Sequence, residues 1–600
     1  MSHRHGFTRR DFLKLSGVGL GGATLAACER AANVVKVTAV PPPAGQQAAA
    51  APTLIPTEAA TPVGPLAAGE TADTILVNGN ILTMDAQRSK VKALAIKDGL
   101  IRLVGDEQAA QAAVGGSSQI IDLHGRTVTP GLIDAHCHVS SCGLLGTIYV
   151  DISWPGISTV EQMQARMAEK INQTPRGEWV LGGGWVTYGG RYPNKHDLDP
   201  ISPNHPVMLI SQGGHLAAVN SLALEIAGVN ANTKDPVSGR FLREANGEPD
   251  GTVVNHPAMD YFRRLFPDDL IDKQTMEDTI LSPQARFASY GVTSFQDVYT
   301  RDMDRMQAYF DIGRRRAMTI RAQVMNVLEY IQELDGRIPE IEAMRYEDDF
   351  MHFGGAKCQV DGAGEASFTH EPHNGFAWNI SIWKPKDLNE VVRAFHDAGH
   401  QVALHAFGDA AVDMGLDAIE AAMNANPRPD PRHRIEHAML NTKSALQRTK
   451  DLGVVISVQP QMIRAFGDGA ERIWGNERMQ TTIPTRTWLD LGVPLALSSD
   501  APGMPWWDPM MTLAASMQRQ TMTNKPVSPE QAMTIDEAMY AHTMGGAYAD
   551  FAESRRGSLE LGKLADLAVW HDDPFVVKPV DLLKLTIDLT MVGGKVVHQA

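Results

Sequence analysis

Cysteine is scarce in this chain. The four present (Cys28, Cys137, Cys142 and Cys358) provide neither a disulfide framework nor a CxxC metal spacing. Beyond the N-terminal region no stretch approaches the ~18 consecutive apolar residues that a membrane span requires. Positive charge is in deficit: 54 Lys and Arg against 70 Asp and Glu give a net charge of -16. That balance argues against nucleic acid or an anionic membrane surface as a partner. What is present is an ordinary globular composition, 43% apolar and 21% charged. A length of 600 residues exceeds one small core and predicts a large catalytic domain with accessories.

The first segment reads as an export signal. Thr8-Arg9-Arg10-Asp11-Phe12-Leu13-Lys14 fits the twin-arginine pattern, and a Gly/Ala-rich apolar stretch follows it. Leu25-Ala26-Ala27-Cys28 then has the form of a lipobox, in which Cys28 is lipidated; a plain cleavage site is the alternative. Residues 1–28 are therefore assigned to a signal, and the mature protein to the periplasm or cell surface, anchored if Cys28 carries lipid. Residues 29–70, rich in Ala, Pro, Gly and Gln, cannot form a core and read as a flexible tether.

Residues 71–128 contain short β-branched runs (DTILVNGNILTMD, KALAIKDGLIRLVG, QIIDLHGRTVTP) broken by Asn-Gly, Asp-Gly and His-Gly turns. The C-terminal 555–600 holds similar runs, LADLAVWHDD and DLTMVGGKVVH. These two half-sets are expected to form one small composite β-sandwich. Between them, residues 129–554 alternate strand-like and helical stretches, which predicts a parallel α/β architecture. Eight strands are counted: TVTPGLIDAH, then 291–297, 319–325, 354–362, 401–406, 433–438, 454–460 and 493–500. Such a series makes a (β/α)8 TIM-like barrel. Residues 139–290 are too many for one loop and are expected to be a large insertion after the first strand.

His136 and His138, at i and i+2 of a strand, face one place while Cys137 faces away. Two imidazoles side by side fill a core poorly and begin a metal site well. Barrels place their chemistry at strand C-termini, and further candidate ligands stand there: Lys357, His405, His437 and Asp500 on the fourth, fifth, sixth and eighth strands. Glu436, beside His437, is expected on the opposite side of its strand, in a structural role. Neutral imidazoles and carboxylates suit zinc, manganese or iron alike.

With these residues in place, the chain resembles the amidohydrolase superfamily, and within it the YtcJ-like group (amidohydrolase family 3) that includes N-substituted formamide deformylases. The resemblance runs from about Asp73 to the C-terminus through LDPISPNHPV, GGHLAAVNSLAL, GVTSFQD, HRIEHA, SVQP, LSSDAP and GSLELGKLADLAVW. It implies one or two divalent metals, commonly zinc, at the barrel mouth. His136, His138 and Asp500 would hold one ion and His405 and His437 the other. Lys357, as a carbamate, would bridge them together with a hydroxide. Asp500 would act as general base and acid. An unmodified Lys357 paired with Asp361 or Asp500, and a single ion, is the alternative. The resemblance also makes His215 a substrate-contacting group, and Trp185, Tyr188 and Arg191, in the Gly-rich stretch 182–192, are candidates to line the mouth.

Two segments depart from the family pattern: DGAGEASFTHEPHNG after Lys357, and GTVVNHP, which places Asn255 where relatives usually have Glu. Both lie in substrate-facing regions. The implied activity is metal-dependent hydrolysis of a non-peptide C–N bond in an N-substituted amide, formamide, carbamate or cyclic imide. An esterase or lactonase using the same site is the alternative, and a degenerate anchored binding protein is disfavoured because every ligand position is filled. The expected partner is a small-molecule substrate, with membrane contact only through a lipid anchor; a homo-oligomer is left open.

Overall fold

In a computed structural model of the protein, residues 64–267, 270–344, 346–372 and 378–600 are described. The signal with its lipobox, and the tether up to residue 63, lie outside the described residues. The end of the expected tether is part of the fold. Arg102 donates to the Gly64 carbonyl at 2.7 Å and to the Glu70 carboxylate at 3.2 Å, and Leu66 packs on a small apolar cluster.

The centre is a sheet of eight parallel strands, each bonded to the next. In chain order they are β1 (Leu132–Cys137), β2 (Val292–Thr300), β3 (Arg321–Val327) and β4 (Met351–Gln359). β5 (Gln401–Ala406), β6 (Arg434–His437), β7 (Val455–Val458) and β8 (Leu495–Leu497) complete it. Alternation divides each strand. Val402 and Leu404 of β5 turn outward into a core shared with Leu388, Val391 and Phe395 of the helix Pro385–Asp397. His405, on the other face, turns inward. The helix residues recur at three- and four-residue spacing, which gives it one buried stripe, and Pro385 occupies its first turn, where a missing N–H costs nothing.

No ladder joins β8 back to β1, and other bonds close the barrel. The Asp134 carboxylate accepts from the backbone N–H of Ser499 at 3.0 Å and from the Ser499 hydroxyl. Beyond the strands, Asp500 N–H donates to the His136 carbonyl at 2.8 Å and His138 N–H to the Ala501 carbonyl at 2.7 Å.

The two chain ends form two further sheets. One has four strands, all from residues 74–122; the other has six, with Asn80–Leu82, Lys90–Val91 and Thr127–Pro130 beside Leu567–Trp570, Ile587–Val592 and Lys595–Gln599. Leu76, Leu94 and Ile101 of the first pack with Ile81, Val128, Leu567 and Met591 of the second in one core. The run expected as a single first barrel strand is thus two strands, divided at Gly131. A Cβ there would stand 2.1 Å from the Thr293 hydroxyl, so only glycine lets the chain pass from sandwich to barrel.

The insertion has its own six-stranded mixed sheet, from Val150–Asp151 to Pro249–Val254. It is narrower than the expected 139–290. The helix Lys273–Ser289 belongs to the barrel, since Ile280, Phe287 and Ala288 pack into the main core. Among the described residues no helix is long and apolar enough to cross a membrane.

Candidate metal centre

The seam between β1 and β8 brings the first three candidates together. One ligand atom from each of His136, His138 and Asp500 lies within 4.8 Å of the others. The Asp500 carboxylate stands 3.3 Å from His136 Nε2 and 3.0 Å from His138 Nε2. Asp500 itself has φ +56, a left-handed conformation that a non-glycine residue holds only where its surroundings impose it. Here the backbone bond to His136 imposes it. Burial alone would raise the Asp500 carboxyl; the His136 and His138 imidazoles beside it outweigh that and hold the group well below the usual carboxylate range.

The other side of the cluster comes from β4 to β6. The His437 ring centre lies 4.6 Å from that of His136 and 4.5 Å from that of His405. Burial pushes both His405 and His437 well below the ordinary histidine value, so both are neutral imidazoles with lone pairs to give. Lys357 is 2% exposed, and its Nζ has no hydrogen-bond partner. Burial lowers its pKa to about 8, partly opposed by the Glu436 carboxylate. Pairing with Asp361 is not found: that carboxylate accepts from the backbone N–H groups of Phe368, Phe407 and Gly408, each at 2.9 Å.

Glu436 corrects the sequence-based expectation. Its carboxylate lies 2.6 Å from His136 Nδ1 and accepts from Arg434 at 2.6 and 3.0 Å. His437 has φ +71, which breaks strand alternation, so consecutive residues both serve the cluster. Burial would raise the Glu436 carboxyl, but the Arg434 charge holds it well down. Glu436 therefore fixes the proton on His136 Nδ1 and leaves Nε2 facing inward. Gln459 Oε1, 2.7 Å from His437 Nδ1, does the same for His437. Gln459 stands in the SVQP run quoted above, the one available signal for it.

From the insertion, His215 reaches the cluster, its ring centre 5.0 Å from that of His405, and its Nδ1 is buried without a partner. Trp185, Tyr188 and Arg191 serve elsewhere. Trp185 ends the strand Val180–Trp185, is 1% exposed, and donates its indole N–H to the Leu209 carbonyl at 3.1 Å, so it does not line the mouth. Tyr188 is buried in the same insertion core. Arg191 grips Asp197 through two hydrogen bonds of 2.7 Å. In the Gly-rich stretch, Gly182 and Gly184 answer to packing, whereas Gly189 and Gly190 take positive φ in a turn. A Cβ on Gly182 would lie 2.7 Å from Leu209, and one on Gly184 would meet Ser153.

The donor set fits a divalent cation. Inward-facing imidazoles and an ionised carboxylate converge, and Lys357 Nζ, His405 Nε2 and His138 Nδ1 are buried with no hydrogen-bond partner among the described residues, the Asp361 carboxylate standing 3.7 Å from His405 Nε2. A cluster so arranged serves a cation better than it serves packing.

Residues 119–598 match the family model described as the amidohydrolase family. The chain is 30% identical to Protein LONG AFTER FAR-RED 3 of Arabidopsis thaliana, over 88% of this chain and 92% of the relative. It is 28% identical to the N-substituted formamide deformylase of Arthrobacter pascens, over 87% and 97%. Among solved structures, an uncharacterized metal-dependent hydrolase from Pyrococcus horikoshii superposes with a TM-score of 0.67 at 25% identity, covering 84% of this chain and 99% of that one.

Proposed function

The chain belongs to the amidohydrolase family, and on that footing we propose that it is a metal-dependent hydrolase of a non-peptide C–N bond. Its substrate class is an N-substituted amide, formamide, carbamate or cyclic imide. The observation that carries this reading is the convergence of His136, His138 and Asp500 at the barrel seam. In this reading those three hold one ion. His405 and His437 would hold a second, and Lys357, as a carbamate, would supply a further oxygen ligand. A divalent ion bound there, with zinc the preferred candidate, polarises the substrate carbonyl and acidifies a water. Asp500 takes the proton of that water at its carboxylate and returns it to the departing nitrogen, which must be protonated to leave. His215, unpaired at Nδ1, hydrogen-bonds the substrate.

The test is metal analysis of the purified protein together with an Asp500→Asn variant assayed on a panel of amides, carbamates, imides and lactones. The wild type should carry about one or two divalent ions per chain and turn over a C–N substrate, and Asp500→Asn should lose turnover by orders of magnitude. Lactone hydrolysis alone, or full activity in the variant, overturns the reading. A Lys357 carbamate predicts a carbonyl resonance after exchange with 13C-bicarbonate, lost in Lys357→Ala. The leader reading assigns the enzyme to the periplasm or cell surface through the twin-arginine route, with Cys28 as anchor. Cys28→Ser should then shift it from the membrane to the soluble fraction.

A further inference from the structure

Two further rings stand between His138 and His215. Tyr299 has its ring centre 5.6 Å from that of His138 and 5.6 Å from that of His256, and His256 is 6.0 Å from His215. With the contacts of His215, His405, His437 and His136 already described, and 5.2 Å between His136 and His138, they close a circuit of rings.

His138 is held differently from its neighbours in that circuit. Glu436 fixes the His136 ring at Nδ1, and Gln459 fixes the His437 ring in the same way. His138 Nδ1 is buried with no hydrogen-bond partner among the described residues, and the side chain is 20% exposed against 1% for His136. A metal-binding imidazole usually gives its second nitrogen to a polar partner, and one that does not must be oriented by packing. Tyr299 supplies that packing. The two rings meet edge to face at 82°, the arrangement that ring quadrupoles favour.

Tyr299 is itself held fast. β2 lies beside β1 with Asp297 opposite Cys137, which brings Tyr299 alongside His138. The Tyr299 hydroxyl donates to Glu329 Oε1 at 2.8 Å, and Arg301 Nε donates to Glu329 Oε2 at 2.8 Å. On the other side is the insertion. Arg263 can only donate to His256 Nδ1, at 2.8 Å, so the His256 proton sits on Nε2, 3.2 Å from the Tyr299 oxygen. Arg301 also grips Asp260 through two hydrogen bonds of 2.7 Å, and Tyr330 donates to the same carboxylate at 2.9 Å. His256, Asp260 and Arg263 all belong to one helix of the insertion, Asn255–Arg263. The Tyr299 hydroxyl is thus engaged as donor and as acceptor, which leaves the ring to act on His138.

We propose that Tyr299 is a positioning residue: its ring sets the orientation of the His138 imidazole, and the insertion, through His256, sets Tyr299. This rests on the reading of His138 as a metal ligand. Docking of the insertion on the barrel is then a condition of tight metal binding as well as of substrate contact.

The test strips the full chain with a chelator and reloads it with Co2+. Affinity is read by chelator competition, and the ligand field from the visible d–d band. Tyr299→Leu should weaken binding about ten-fold and shift the band. Tyr299→Phe, which keeps the ring and loses the hydroxyl, should restore the wild-type affinity and band. His256→Leu, on the insertion, should weaken binding in the same direction but by less. Should Tyr299→Leu not fold, Tyr299→Met makes the same comparison. An aliphatic variant that binds Co2+ as tightly as the wild type with an unmoved band overturns the proposal, even if its urea midpoint falls, because Tyr299 then only supports the fold. A Tyr299→Phe variant that loses as much as Tyr299→Leu overturns the role of the ring, and wild-type affinity in His256→Leu overturns that of the insertion. A wild type that takes up no Co2+ removes the metal reading and the proposal together, whereas loss of affinity in the variants supports the proposal whichever substrate is turned over.

Discussion

At the scale of single residues, the neighbours of the candidate ligands decide how well the ligands work. Glu436 holds the His136 ring through a 2.6 Å contact at Nδ1 while Arg434 neutralises it. Glu436→Gln keeps the shape but weakens that hold, and should lower metal affinity about 10- to 100-fold, measured by competition with a chelator. The two imidazoles of HxH were legible in the sequence because strand alternation is a period that residues display. Glu436 was not legible, because its placement beside His437 depends on a left-handed φ that no spacing reveals.

A second pair, His396 and His433, lies buried away from the cluster. Val402 N–H donates to His433 Nδ1 at 3.0 Å; His433 Nε2 then donates to His396 Nδ1 at 2.8 Å, and His396 Nε2 to the Asn426 carbonyl at 2.7 Å. Burial, with the His396 ring and the Arg428 charge nearby, pushes His433 down to about 3. The unfolded chain binds this proton near pH ~6.5 and the folded chain does not. The contribution to stability is therefore present above that pH and lost as pH falls toward the folded value. Urea unfolding between pH 7 and 4.5 should show a shallower decline in His433→Gln than in the wild type.

At the scale of elements, the helix Val139–Leu144 begins directly after His138 and lies against Lys273–Ser289. Gly143 is the point of closest approach: a Cβ there would stand 2.1 Å from the Thr279 carbonyl oxygen. Because that neighbour is backbone, Gly143→Ala must push the helices apart, at a cost of about 1–3 kcal/mol. Thermal melting should fall, and metal occupancy with it, since His138 anchors the displaced helix. Seven of the eight barrel strands were legible within a few residues from apolar runs, and the first was read together with the sandwich strand Thr127–Pro130 that precedes it. The insertion boundary was not, because Lys273–Ser289 shows its allegiance only through what Ile280 and Phe287 touch.

For the molecule as a whole, the sandwich joins the barrel at the end opposite the histidines. Arg321, at the start of β3, meets Asp566 through hydrogen bonds of 2.7 and 2.8 Å, and both side chains are buried. Removing one partner strands the other charge, so Asp566→Ala should cost about 3–5 kcal/mol. The kcat/KM of the protein that remains folded should stay near the wild-type value, because the far end carries stability rather than chemistry. A lowered urea midpoint with intact specific activity is the expected result. That both chain ends build one unit was legible from matching β-rich runs at residues 71–128 and 555–600. How it grips the barrel was not, since Arg321 and Asp566 are 245 positions apart.

The barrel is fastened where its first and last strands meet, and the fastening runs through the same few residues that supply the carboxylate. A ribosome that stops short of Ser499 releases a polypeptide with all five imidazoles but without the carboxylate that faces His136 and His138 Nε2. Competence thus arrives only when the final sixth of the message has been read, and any nick that frees that last portion from the opening strand extinguishes turnover while leaving most of the secondary structure standing.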